Sequence, residues 1–102
     1  MARREAGAYV AVVQVRFRLP AQTLKEKRTV IRSVVDRLRN QFNASVAETA
    51  DLDTPELGCI AAACVSNSAT HAEEQVQAIV EAIESWRLDI ELFDVQREVM
   101  AL

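Results

Sequence analysis

The chain predicts an α+β fold in which two helices cover one face of a four-stranded antiparallel sheet. Two observations carry that prediction. The hydrophobic period changes along the sequence in the order strand, helix, strand, strand, helix, strand. Each helix connects two strands, and right-handed crossovers put both helices on the same side of the sheet. The result is the ferredoxin-like split βαββαβ arrangement, with expected strand order 4-1-3-2 and a second sheet face left without helices. Length agrees, since 102 residues suit one domain spanning 1–102 with a single core. Two glycines and two prolines exclude collagen-like and low-complexity classes.

The first strand is the clearest element. Tyr9, Ala11, Val13, Val15, Phe17 and Leu19 fall on one face and Val10, Val12, Gln14, Arg16 and Arg18 on the other, until Pro20 stops the run. Period then changes. Thr23 with Glu26 forms a capping box, and Leu24, Ile31, Val34, Val35, Leu38 and Phe42 share one helical face. Asn40 or Asn43 is the expected left-handed terminator. Ser45 to Ala50 reads as a short strand, followed by an acidic, proline-marked loop at 51–56. Leu57 to Ser66 is a continuous small apolar run, read as a buried central strand. Thr70 with Glu73 predicts a second capped helix, repeating at Ala72, Val76, Ile79, Val80 and Ile83 to about Trp86. Ile90 to Val99 closes the sheet. Its register stays open, because Phe93 and Val95 compete with Ile90 and Leu92 for the inward face.

Net charge is −3, but it is unevenly spread. Residues 1–40 hold ten Lys/Arg against three Asp/Glu, and residues 41–102 hold two against twelve. On the first helix Lys25, Arg28, Arg32 and Arg39 form a column beside the apolar stripe. A nucleic-acid backbone is the natural partner for such a column, with Arg16 and Arg18 of the first strand as further candidates. The alternative is a solvated face in which Arg32 pairs with Asp36. Lys27 lies on the apolar side of the same helix. It either snorkels or pairs with a buried carboxylate, for which Glu48 is the candidate.

The helix-free face supplies a second reading. Val10 and Val12, with Ile60 and Ala62 or their neighbours, are the expected apolar patch for a homodimer or another protein. Base stacking on the central strands is not expected, because the third strand has no aromatic.

No reaction is legible. Cys59 and Cys64, five apart on a strand, point to opposite faces and cannot share a metal or a disulfide. His71 stands alone, without a nucleophile or second base. Asp51, Asp53 and Glu56 lack EF-hand spacing and read as a solvated loop. Acylphosphatases share the topology but use a glycine-bearing anion loop, where this chain has Arg18-Leu19-Pro20-Ala21. No cofactor or metal is therefore expected. Absence of a long apolar run and of a signal-type N-terminus places the protein in the cytoplasm by expectation.

Leu24-Lys25-Glu26-Lys27-Arg28, Val30, Arg32, Arg37-Leu38-Arg39-Asn40 and Phe42, followed by Ser45-Val46-Ala47-Glu48, resemble the YlxP-like proteins, small bacterial proteins of unknown function. The resemblance covers nearly the whole chain and implies the same ferredoxin-like fold. Through the ribosome-maturation and translation-initiation genes that typically neighbour the family, it implies work on RNA or the ribosome. It also places Lys27 and Glu48 in one motif. Family members often carry a Trp-Gln pair in the following loop, where this chain reads Asp51-Leu52-Asp53-Thr54-Pro55. The expected function is thus a non-enzymatic RNA- or ribosome-associated protein acting through the first-helix column. The alternative is an interaction module using the open sheet.

Overall fold

A computed structural model describes residues 7–86 and 89–102. The element order is β1 (Tyr9–Arg18), α1 (Leu24–Gln41), β2 (Ser45–Ala50), β3 (Leu57–Ser66), α2 (Ala69–Ser85) and β4 (Glu91–Ala101). All neighbouring strands are antiparallel, in the order β2-β3-β1-β4. This is the split βαββαβ sandwich. The α1 helix packs on β2 and β3, and α2 packs on β1, β3 and β4. Between the layers Val13, Val15 and Phe17 meet Ile60, Val34, Leu38, Val76, Ile79 and Ile83, all buried.

The cross-strand register fixes which side chains face the helices. Val15 pairs with Ile60 and Val13 with Ala62, so both β3 residues lie in the core at 1% and 3% exposure. They are therefore not part of the open-face patch expected from the sequence. Ala61 and Ala63 take those places, paired with Gln14 and Val12. A continuous apolar run hides its own parity, and only the partner strand reveals it. Gly58 sits opposite Phe17, and a Cβ there would lie 2.4 Å from the Phe17 ring. The missing side chain is thus the space the aromatic ring occupies.

The β4 ambiguity ends in a bulge. Val95 pairs with Val15, but beyond the register shift Leu92 pairs with Phe17. Phe93 is the extra residue, and one inserted residue reverses the alternation. Leu92 and Val95 consequently both pack on the core, while Phe93 turns to the open face beside Arg16 and Arg18.

Two helix ends differ from expectation. The α1 helix keeps its Thr23–Glu26 capping box, but it ends at an extended Phe42 (φ −129°), not at a left-handed asparagine. Phe42 packs against the core, and extended backbone carries it there. The cap of α2 is Ser68, whose hydroxyl accepts from His71 N–H at 3.3 Å. Thr70 is inside the first turn. Ser68 and Thr70 are equally good caps by residue type, so the side-chain identity alone does not choose between them.

Candidate functional site: a basic helix flank and an open sheet face

Lys27 is a structural group. It is 1% exposed, and its Nζ lies 3.3 Å from Glu48 Oε2. The ammonium also donates to the Thr54 carbonyl at 2.9 Å and to the Asp51 carbonyl. Two carbonyls accept from the ammonium and the Glu48 carboxylate balances its charge, which is how a buried lysine avoids the cost of an unpaired charge. Snorkelling, the other reading of Lys27, is excluded by this burial. Asp51 adopts a left-handed conformation (φ 57°), which aspartate tolerates better than most residues. Its carboxylate holds Arg16 at 3.1 Å on the opposite sheet face. The β2–β3 loop is thereby fastened from both sides, and Asp51 is a clasp residue, not part of a freely solvated acidic loop.

The column on α1 divides in two. Lys25, Arg28, Arg32 and Arg39 are all exposed. Arg39, however, donates to the Val46 carbonyl at 2.7 Å. Val46 is on the edge strand β2, so Arg39 covers part of a free strand edge, a common guard against unwanted strand pairing. Lys25, Arg28 and Arg32 form no ion pair among the described residues; the pairs present are Arg16–Asp51 and Lys27–Glu48. Arg32 does not pair with Asp36. At 1.5 Å rise per residue these three free cations span about 10 Å. Two acids, Glu26 and Asp36, share this helix, and seven lie on two other elements. Glu73, Glu74, Glu81 and Glu84 are on α2, while Glu91, Asp94 and Glu98 are on β4.

Arg16 and Arg18 are differently placed. They flank Phe93, with guanidinium carbons 5.4 and 5.2 Å from its ring centroid. Arg16 pairs across strands with Asp94 and Arg18 with Glu91, so each cation has a carboxylate on its neighbouring strand. The structure does not join them to the α1 column, which lies on the other side of the sheet.

A family model described as "Protein of unknown function (DUF503)" matches residues 10–97. The chain belongs to this family. A curated relative, "Uncharacterized protein YlxP" of Bacillus subtilis (strain 168), is 35% identical over 66 residues, covering 65% of this chain and 72% of the relative. Among solved structures, "De novo designed protein Foldit4" matches with a TM-score of 0.50 at 15% identity, over 89% of this chain and 96% of that one. "De novo designed protein Ferredog-Diesel" matches at 0.49 and 17% identity, over 96% and 89%. Likeness at this identity shows fold alone; the ferredoxin-like arrangement itself is given by the element order and the strand order β2-β3-β1-β4. No helix among the described residues is long and apolar enough to cross a membrane.

For this DUF503 member, the Lys27–Glu48 pair expected from the sequence is present, and Lys25, Arg28, Arg32 and Arg39 lie exposed on α1. It missed Phe93, since alternation cannot be followed through a bulge. It also missed the carbonyls of Asp51 and Thr54, because backbone acceptors carry no residue signature. Both cysteines are buried. Cys59 lies on the open-face side, its Sγ 3.4 Å from Thr49 Oγ1. Cys64 faces the helices, and burial pushes its thiol above the usual pKa, which keeps it neutral and unreactive near pH 7.

Proposed function

We propose that this protein is a non-enzymatic RNA-binding protein, associated with the ribosome in the cytoplasm, that seats phosphates on Lys25, Arg28 and Arg32. The observation that supports this most is segregation of charge. Those three side chains are exposed and unpaired among the described residues, while seven acids gather on α2 and β4 and two, Glu26 and Asp36, share α1. An acidic protein can present a local cationic strip when its charges are separated in this way. Arg16 and Arg18 are left outside the footprint, because Asp51 pairs with Arg16 and both guanidinium groups lie on Phe93 at the other sheet face. A binding role also accords with the fate of the reactive groups: Lys27 is buried against two carbonyls and Glu48, and both thiols are buried.

The test is a titration of structured ribosomal RNA at several salt concentrations. Three phosphate contacts predict a slope of log K against log salt of about −2 to −3. The Arg28→Ala/Arg32→Ala double variant should flatten that slope to about −1. Salt-independent affinity, or an unchanged slope in the double variant, removes α1 as the RNA site.

A further inference from the structure

We infer that the uncovered sheet face is a homodimer interface, in which β1 of each copy seats on β3 of its partner. The face has a shape that fits itself. Its β1 residues are Val10, Val12 and Gln14, which form a ridge. The neighbouring β3 and β2 positions are small. Ala61, Ala63, Ser45 and Ala47 line a shallow trough beside Val12. A two-fold axis parallel to the strands, between β1 and β3, places the ridge of one copy in the trough of the other. Such an interface is isologous, each copy giving one ridge and one trough.

Exposed apolar surface points to the same face. Val65 is 66% exposed and Met100 44%, and both are cross-strand partners of Val10. Under the two-fold, Val10 lies on the partner's Val65. Charges are also compatible. The acids of β4 fall over β2, whose one acid, Glu48, pairs with core-facing Ile60; Glu98 faces the partner's Ser45 and Asp94 the partner's Ala50. Strand-on-strand overlay of like acids is avoided. The remaining cations, Arg16 and Arg18, already have carboxylate neighbours in their own chain.

Area sets the strength. Ten-residue strands span about 33 Å, and four strands about 15 to 19 Å, so stacking covers roughly 500–600 Å² per copy. Two copies together reach roughly 1,000–1,200 Å², the lower end of specific interfaces. A dimer with a dissociation constant of roughly tens of micromolar is expected.

Sedimentation of the full chain between about 1 μM and about 0.5 mM tests this, since the range brackets that constant. The mass should move from one chain to two. Ala47→Arg fills the trough at an exposed edge position, and Val65→Glu charges the exposed end of the face. Each should raise the midpoint at least about tenfold, as a buried unpaired charge at an interface requires. Circular dichroism confirms that both variants fold. Single-chain mass throughout the range overturns the proposal, as does a dimer that neither substitution weakens. The Arg28→Ala/Arg32→Ala variant should dimerise normally, so failure here is separable from failure of the RNA reading.

Discussion

The two helices share a core and a topology but are built on different chemistry. The α1 helix carries six cations and two acids, and it buries one of those cations. The α2 helix carries four glutamates and no Lys or Arg, and its buried residues are Ala72, Val76, Ile79, Val80 and Ile83. The α1 helix is thus fixed partly by a directional, charged clasp to the β2–β3 loop. The α2 helix is fixed by shape and apolar area. Charged contacts impose a geometry, and this one ties the basic flank to a particular edge of the sheet. Apolar packing leaves the outer face free to vary, and here that face is acidic. The difference gives the two helices outer surfaces of opposite charge, with the cations on α1 and the glutamates on α2.

Several substitutions break or sharpen that contrast. The largest effect belongs to Lys27→Ala. It leaves Glu48 and two loop carbonyls without their partner, and should cost about 3–5 kcal/mol in urea unfolding. The Lys27→Met/Glu48→Gln pair should recover much of that, because replacing both charges removes the buried imbalance. A loss below about 1 kcal/mol for Lys27→Ala would show that the clasp is not what holds α1. On the other helix, Ile79→Ala should cost about 2–5 kcal/mol through the cavity it leaves, and high salt should not change the figure.

The sheet beneath both helices offers an intermediate case. Gly58→Ala should cost about 1–3 kcal/mol, because the buried Phe17 ring has to move. The caps come next. Thr23→Ala breaks a reciprocal capping box and should cost about 1–2 kcal/mol. Ser68→Ala removes a single bond and should cost about 0.5–1 kcal/mol. Smallest of all, Arg28→Ala/Arg32→Ala should change stability by no more than about 0.5 kcal/mol while weakening RNA binding. A large stability loss would mean that the column is structural, like Lys27.

Particular residues show where sequence reasoning succeeded. The β1 alternation from Tyr9 to Arg18 contains its own parity, since polar residues mark the second face. The α1 stripe is marked equally well, and Lys27 stood out because it interrupted that stripe. In β3 the residues from Cys59 to Cys64 are all apolar or small, so nothing local distinguishes the core side from the open side. Ile60 and Ala62 were assigned to the wrong face for that reason. Arg39 has the same type and exposure as Arg28, yet a carbonyl of strand β2 occupies it.

By itself, then, the sequence determined the order of elements, the core faces of β1 and α1, and the separation of basic from acidic residues. These are written in periodicity and charge, which are local properties of the chain. Tertiary structure alone decided the side on which β3 presents its small residues, the bulge that turns Phe93 outward, and which cations remain free. Each depends on a partner in another element: Val15 for Ile60, Arg16 for the bulge, the Val46 carbonyl for Arg39. A side chain's availability is set by what the fold brings within hydrogen-bonding distance of it, and no local pattern records that.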